Sequence, residues 1–548
     1  MKICLLGINA RYTHSNLALF YLRKYVGSNH KSIIIEKTIN DSIYDILIEI
    51  DKINPDVVCF SIYTWNQSHI KSILKNIRKI KENIIIVCGG PDISWNANSW
   101  LEEFPVIDFI VQGAGEKAFE KLCCNNFSLP DKIISLKNYH FNDIPLPYLD
   151  NDFLSLKHRY IYYEASRGCV CRCTYCLSSL EKYQVEYKTI DKIKEEISFL
   201  LFYEPIIIKF IDRSFNSNNS LCLEIWDFLK TIKTKTKFHF EVHPLFINDE
   251  QISLLKTIEK NKFQLEVGIQ SIHTTTLALI DRQGTWECIK PNIEKLSTLK
   301  NIHLHYDLIV GLPGENLSLV LASFSEIIKY LPNHIQIGFL KLLPGTKLYS
   351  DANKYGYMYE SDAPYKVLSS ANMLFSDFIS MYNIEQVIDT IYNKNIMQTF
   401  TREVINILDS SHEYFLDLGD YYLKKNVQKT TTSRKIFFEI VWNHLQETGL
   451  LPNKQFLFDC LRYDWYLGQD THFYPDFLQA DICDNYKEKN YLYVKTNWQK
   501  NQNSKYKKKI KNIVFFAAED IYFQKKYLNG SEGVAKLGNT LITHIESG

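Results

Sequence analysis

Four cysteines crowd into eight residues, Cys169-Val170-Cys171-Arg172-Cys173-Thr174-Tyr175-Cys176. Three of them, Cys169, Cys173 and Cys176, stand at C-x3-C-x2-C. Thiolates are soft ligands that suit iron–sulfur clusters and zinc, and clusters accept close, irregular spacings of this kind. A zinc site would recruit Cys171 as the fourth ligand, and buried thiols packing as small hydrophobes are a third reading. Zinc sites usually join one C-x2-4-C to a distant second pair, which this chain lacks. If only three cysteines held a four-iron cluster, one iron would stay open, able to hold and cleave a ligand rather than only pass electrons.

The cysteine spacing, preceded by Glu164-Ala165-Ser166-Arg167-Gly168, resembles the signature of radical S-adenosylmethionine (radical SAM) enzymes. The resemblance implies that Cys169, Cys173 and Cys176 bind a 4Fe-4S cluster while Cys171 stands outside it. It also implies that the amino and carboxylate groups of S-adenosylmethionine chelate the open iron. One electron from an external donor such as flavodoxin or ferredoxin then splits a carbon–sulfur bond and releases a 5′-deoxyadenosyl radical.

Elements on both sides of the loop must position such chemistry. From residue 1 to 140, β-rich runs at 2–8, 32–39, 56–63, 84–88 and 108–111 alternate with helical spacing at 16–25 and 68–80, which predicts an α/β, Rossmann-like doubly wound parallel sheet. Ligands of such sheets lie at the carboxyl ends of the strands. Those ends carry Asn9, Tyr12 and His14 after the first run, Thr64 and Trp65 after the third, Gly89-Gly90-Pro91 after the fourth, and Gly113-Ala114-Gly115-Glu116 after the fifth. Alone, the glycines read as turn glycines or as a close approach to a flavin, a phosphate or a bulkier ligand. Their order ahead of the cysteine loop resembles cobalamin-dependent radical SAM enzymes, which makes residues 1–140 a cobalamin-binding domain. This domain has no Asp-x-His-x-x-Gly, so no histidine from that element reaches cobalt. The sole Asp-x-His, Asp470-Thr471-His472, reads as incidental, and His14 as a substitute ligand or, more simply, a histidine near a helix start.

Residues 141–158, with Pro145 and Pro147, predict an extended linker. Six strand–helix units follow within 159–364, with strands at 160–164, 206–212, 238–243, 264–269, 303–310 and 336–342, which predicts a partial (β/α)6 barrel. Polar residues gather at the strand ends, where barrel chemistry sits: Asp212-Arg213-Ser214, Glu241-Val242-His243, Gly268-Ile269-Gln270-Ser271 and Gly311-Leu312-Pro313-Gly314-Glu315. By resemblance, Gln270, Ser271 and Gly311 belong near the ribose and adenine of S-adenosylmethionine. Many family members receive the methionine amino group on a Gly-Gly-Glu segment. Here Ile211-Asp212-Arg213 stands in its place, leaving Asp212 as the candidate, with Glu241 a second strand-end acid. Lys341-Leu342-Leu343-Pro344-Gly345-Thr346 resembles a late barrel element of the superfamily.

Residues 365–548 are aromatic-rich and predict a mainly helical C-terminal domain of uncharacterised type, with periodic stretches at 374–382, 384–391, 403–407 and 435–445. The chain of 548 residues is too long for one core, and a net charge of +1 gives no field for nucleic acid. The basic run Lys505–Lys511 has too few aromatics for a nucleic-acid contact and reads as a solvated linker. Thirteen cysteines in no disulfide pattern, no ~20-residue apolar span and no signal peptide predict a cytoplasmic protein without a membrane anchor.

The resemblance implies a methyltransferase: the deoxyadenosyl radical takes hydrogen from an unactivated carbon of a small molecule or peptide, and methylcobalamin supplies the methyl group. Two other outcomes fit the same residues, a ring contraction or cyclisation without methyl transfer, and a cobalamin or iron–sulfur sensor without turnover. A transfer-RNA methylthiotransferase fits less well, because the first domain lacks a second cysteine triad.

Overall fold

The computed structural model describes residues 1–180, 185–425, 433–468 and 475–478, and short stretches at 513–517, 523, 526–528, 533–537 and 540–545. Asp470–His472 and Lys505–Lys511 lie outside the described residues. By internal packing the chain forms two units, Met1–Leu319 with Ile337–Phe375, and Val320–Gln336 with Ser376–Gly548.

The first unit opens with β1 (Lys2–Asn9), α1 (Leu17–Lys24), β2 (Lys31–Thr38), α2 (Ile43–Ile53), β3 (Val57–Ser61), α3 (Gln67–Ile80), β4 (Ile85–Gly89), α4 (Ala97–Glu103), β5 (Phe109–Gln112), α5 (Glu116–Cys124) and β6 (Ile133–Ser135). The strands form one parallel sheet in the order β2-β1-β3-β4-β5-β6. Burial on both faces explains the unbroken apolar run of β1: Cys4, Leu6 and Ile8 enter one core while Ile3 and Leu5 enter the other. The chain reverses direction across the sheet between β1 and β3, so the ligand crevice of this fold lies at their carboxyl ends. β6 and helices α2, α4 and α5 went unread. β6 has only three residues, and α2 is delimited by caps, Ser42 Oγ accepting from Asp45 N–H at 3.1 Å and Asn54 closing it at φ 50°.

Residues 141–158 are not wholly extended. They contain a 3-10 turn at Phe141–Asp143 and helix α6 (Asp152–Leu156). The prolines confine extension to the middle of the segment; Asp152 then accepts from Leu149 N–H at 2.7 Å and from Arg23 Nη1 at 2.6 Å, which favours a compact turn.

β7 (Ile161–Tyr163) leads into the cysteine segment, which a short antiparallel pair, β8 (Ser166–Arg167) and β9 (Glu186–Tyr187), brackets. Next come α7 (Ile190–Phe202), β10 (Ile207–Phe210), α8 (Asn219–Thr231), β11 (Lys237–Val242), α9 (Asp249–Leu255), β12 (Phe263–Gln270), α10 (Thr274–Leu279), α11 (Trp286–Ser297), β13 (His303–Val310), α12 (Leu317–Ile328) and β14 (His334–Phe339). The six longer strands neighbour one another in chain order, β14-β13-β12-β11-β10-β7, as a partial barrel requires. On the helix-covered face Phe240 packs 4.6 Å from Phe215 and 5.2 Å from Phe263, centroid to centroid, with Trp226 of α8 at 5.8 Å. Beyond β14 the unit adds α13 (Lys347–Ser350), β15 (Met358–Tyr359) and β16 (Val367–Ser369).

The second unit contains α14 (Phe375–Ile388) from Ser376 onward, α15 (Gln398–Ile407), α16 (Ser411–Lys424), α17 (Arg434–Glu447) and α18 (Lys454–Leu467), and an antiparallel sheet of β17 (Ile513–Ala517), β18 (Gly533–Leu537) and β19 (Thr540–Ile545). The sheet was not anticipated. The stretches 374–382 and 384–391 are one helix, which runs on into a π turn at Asp389–Asn393. Asp464 on α18, buried, accepts from Thr399 and Phe400 N–H at 2.9 and 2.8 Å and so caps α15. Val320–Gln336 belongs to this unit through Ser325 Oγ with His412 Nδ1 at 2.7 Å and Asn393 Nδ2 donating to Ile335 O at 3.0 Å.

Candidate active site

The cysteine segment leaves β7 at the carboxyl end of the barrel, and its root is held by buried charge. Asp212, from the end of β10, accepts from Ala165 N–H at 3.2 Å and from the Ser166 hydroxyl; burial raises its pKa to about 6. Its carboxylate thereby fixes the root of the cysteine loop. Arg167, one residue before Gly168, donates to Glu164 at 2.7 Å and to Glu116 of α5 at 2.8 Å, and so ties the loop to the Gly-x-Gly-Glu turn of the first sheet.

Beyond this root, Cys171 N–H points at Cys169 Sγ at 3.4 Å, and Arg282 Nη1 donates to Cys173 Sγ at 3.6 Å. A hydrogen bond from the Cys171 thiol, with help from Ser214 and the charge of Arg213, outweighs burial and draws Cys169 down to about 6, while the same bond and burial push Cys171 up. Among the described residues no three Cys, His, Asp or Glu side chains converge on one metal-sized point. The donor set still suits a cluster: three thiols on one loop, with two guanidiniums to offset its negative charge. Arg282 owes its position to Gly268, whose carbonyl it also binds; a β-carbon there would lie 3.2 Å from Arg282 Nη2. Gly268 thus leaves room for the guanidinium that reaches Cys173.

At the carboxyl ends of the first sheet, Tyr12 and Trp65 are exposed, and Thr64 is half-buried. Trp65 stacks on Tyr63 at 4.3 Å and donates to Ile8 O at 3.1 Å, which holds an indole face at the β1/β3 crevice. Gly113, at φ 72°, has open space where a β-carbon would stand. Gly90 serves close backbone packing, since a β-carbon there would come within 2.5 Å of Ile62 O; Gly89 abuts Val111, Gly115 abuts Leu22, and Pro91 continues the turn. Two of the expected ligand contacts are buried and engaged elsewhere. Asn9 donates both amide hydrogens, to His14 O and Glu36, and Glu116, 3% exposed, is held by Arg167 and Asn138.

His14 turns toward the barrel, where Nδ1 hydrogen-bonds the Tyr162 hydroxyl and the ring meets Tyr160 edge-on at 5.4 Å. Tyr160 N–H also donates to Thr13 O at 2.7 Å, and Trp95, after β4, sits on the Gly345 turn after β14, 2.6 Å from where a β-carbon would stand. The strand ends of the first sheet thus adjoin the mouth of the barrel. Because its Nδ1 is already engaged, His14→Ala is expected to retain bound cobalamin, read from the absorption spectrum; loss of the spectrum would mark His14 as a ligand or an essential contact.

Of the other barrel residues, Ser271 is 1% exposed, donating to Glu315 Oε1 and accepting from His273 N–H, and the Gly311 carbonyl accepts from Tyr357, so both brace the mouth. Gln270 ends β12 at φ 73°, a strained position for this residue type, and is half-buried. Glu241 is also half-buried, 3.8 Å from Arg213, with its pKa raised to about 7 chiefly by burial.

A polar row inside the barrel escaped the sequence reading. β12 buries Phe263, Leu265, Val267 and Ile269 on one face and leaves Gln264, Glu266, Gly268 and Gln270 half-buried on the other; β13 repeats this with His303, His305 and Asp307. Lys209 pairs in register with Tyr162 and His239, and Glu241 with Glu266, which pairs with His305. Barrel interiors are ordinarily filled by branched apolar side chains. The period-two alternation in 263–270 and 303–308 was the available signal, and it lines the interior with polar side chains.

Residues 3–123 match the B12 binding domain family, 163–326 the radical SAM superfamily, and 353–531 a family of unknown function, DUF4080. A B12-binding domain joined to a radical SAM barrel defines the class: the chain belongs to the cobalamin-dependent radical SAM enzymes. Its cofactors are cobalamin, S-adenosylmethionine and a 4Fe-4S cluster. An uncharacterized methyltransferase of Pyrococcus horikoshii is 26% identical over 365 residues, covering 61% of this chain and 78% of that protein. The cobalamin-dependent radical SAM methyltransferase TokK of Streptomyces tokunonensis is 24% identical over 48% of this chain, which spans only 43% of TokK. Among solved structures, the cobalamin-dependent radical enzyme OxsB, with aqua-cobalamin and S-adenosylmethionine bound, superposes with a TM-score of 0.57 at 15% identity over 92% of this chain and 82% of that one. TsrM from Kitasatospora setae, with tryptophan and an S-adenosylmethionine analog bound, gives 0.55 at 16% identity over 66% and 79%. At such identities the likeness is one of fold. Among the described residues no helix is long and apolar enough to cross a membrane.

Proposed function

We propose that this enzyme methylates an unactivated carbon of a small-molecule or peptide substrate held between the first sheet and the barrel. The supporting observation is the junction itself: His14 on Tyr162, Trp95 on Gly345 and Glu116 on Arg167 bring the crevice of one sheet to the cysteine loop of the other. Two reactive groups brought to one substrate turn a bimolecular encounter into an intramolecular one, where most of a rate advantage arises. When bound, S-adenosylmethionine on the cluster supplies the hydrogen-abstracting radical and methylcobalamin the methyl group.

In this reading Cys169, Cys173 and Cys176 hold the cluster, with Arg282 and Arg213 offsetting its charge. Trp65, Thr64, Tyr12 and the Gly113 turn line the cobalamin crevice, while Gln270 and Glu241 face S-adenosylmethionine. The related methyltransferases of Pyrococcus and Streptomyces support methyl transfer over rearrangement. External reductant enters as flavodoxin or ferredoxin, and the protein works in the cytoplasm. The test is anaerobic turnover of the reconstituted protein with reductant and fractionated extract. Methyl transfer predicts that 5′-deoxyadenosine and S-adenosylhomocysteine rise together in the active fraction; 5′-deoxyadenosine without S-adenosylhomocysteine favours ring contraction or cyclisation, and neither product favours a sensor.

A further inference from the structure

Lys209 stands apart from the other charged groups of the barrel. On β10 it faces the interior, half-buried, and among the described residues no hydrogen bond or ion pair reaches its Nζ, which lies 5.8 Å from the centre of the Tyr160 ring. The interior acids one layer on are otherwise engaged: Glu266 lies 3.1 Å from His239, Asp307 lies 3.1 Å from His305, and Glu241 has Arg213 at 3.8 Å. Glu241 and Glu266 attract this ammonium without reaching ion-pair distance, so its donors are left for an anionic ligand to take. Its position is central. The charge of Lys209 is felt by His14 from the first sheet and by His239, Glu241, Glu266 and His305 across three strands of the barrel. Tyr162, its in-register neighbour on β7, carries the hydroxyl bonded to His14.

We infer that Lys209 anchors an anionic group of the substrate, a carboxylate or a phosphate, at the place where the first sheet meets the barrel. The inference rests on the methyltransferase reading for the word substrate, but not for the site. An anchor there is a directional point charge on a four-carbon arm, and it would fix one end of an otherwise undistinguished carbon skeleton. The acids beyond it orient the ligand, since a second anionic end would meet Glu241 and Glu266 and be repelled.

The test uses full-length protein carrying cluster and cobalamin, titrated calorimetrically with propionate and with inorganic phosphate, and with propionamide as the uncharged control. Wild type is expected to bind at least one of the two anions and not propionamide. Lys209→Met should weaken that binding by about tenfold or more, the loss of one charge-assisted contact, while Lys209→Arg keeps most of it. Because the lysine has no hydrogen bond or ion pair to lose among the described residues, Lys209→Met should melt close to wild type, whereas a structural lysine would lower the melting temperature markedly. Equal anion binding by Lys209→Met and wild type, or no anion binding by wild type, overturns the assignment. So does a fall in bound cobalamin or S-adenosylmethionine in Lys209→Met, which would give the lysine to a cofactor. Failure of methyl transfer with anion binding intact would instead sink the methyltransferase reading and leave the anion site standing.

Discussion

Cys173→Ala and Cys176→Ala are expected to lose most of their iron and sulfide after anaerobic reconstitution, and with it all reductive cleavage of S-adenosylmethionine, whereas Cys171→Ala should keep both. The reason is geometric as well as chemical. Cys173 receives Arg282 at 3.6 Å and Cys176 lies near enough to Arg213 to influence it, so each removed thiolate is one whose negative charge the site is built to balance. Cys171 instead has its thiol pushed up, by its hydrogen bond with Cys169 first and by burial second, and meets Ser214 Oγ at 3.9 Å. A four-iron cluster reduced to two protein thiolates has two open irons and falls apart in exchange with solvent thiols, which makes the loss nearly complete rather than partial. Iron and sulfide assays on the three variants decide the matter: if Cys171→Ala loses as much as Cys173→Ala, the three-ligand assignment is wrong.

Arg167→Met is expected to lower the stability of the first unit by about 3–5 kcal/mol, because it strands two carboxylates at once. Glu116 and Glu164 are only 4% and 15% exposed at their side chains, and both take their counter-charge from this guanidinium, at 2.8 and 2.7 Å, Glu116 keeping Asn138 as a neutral donor. The arginine also lies 4.8 Å over the Phe141 ring, so its removal opens packing as well as charge. Glu116→Gln should cost much less, since its amide oxygen still accepts from Arg167. In the Arg167→Met background the same substitution should restore part of the loss by removing one stranded charge. Thermal unfolding of the reconstituted protein reads the effect, and the cobalamin and iron contents should fall together in Arg167→Met, since the contact joins the Gly-x-Gly-Glu turn to the cysteine loop. A melting temperature equal to that of wild type would show that the bridge carries no load.

Much of the site was legible in the amino-acid order. The cysteine spacing is local, so eight residues suffice to place three soft ligands on one loop. The five longer strands of the first sheet and all six of the barrel were also readable, because burial on both faces leaves an apolar run and burial on one face leaves an alternation, and both patterns are written within a strand. β13 was predicted with its observed bounds, His303–Val310. Elements held by caps and tertiary contacts were less visible: α2 ends on an Asn54 turn, α6 turns around the Asp152–Arg23 pair, and the β17–β19 sheet depends on pairing between distant segments.

Motif residues were assigned by position, and the fold gives several of them buried partners. Asn9, Glu116, Asp212 and Ser271 stand at strand ends, as their place in the chain dictates, yet each side chain is turned into a buried bond with a neighbour that the sequence keeps far away: Glu36, Arg167, Ala165 with Ser166, and Glu315. A one-dimensional order specifies which residues reach the rim of a sheet. Whether a carboxylate there meets a ligand or a guanidinium is set by which other segment arrives opposite it, and that depends on long-range packing. Lys209 shows the converse. Its sequence neighbours gave no reason to single it out, and only the partial barrel, which sets histidines and acids against one another, left it without a hydrogen bond or ion pair among the described residues.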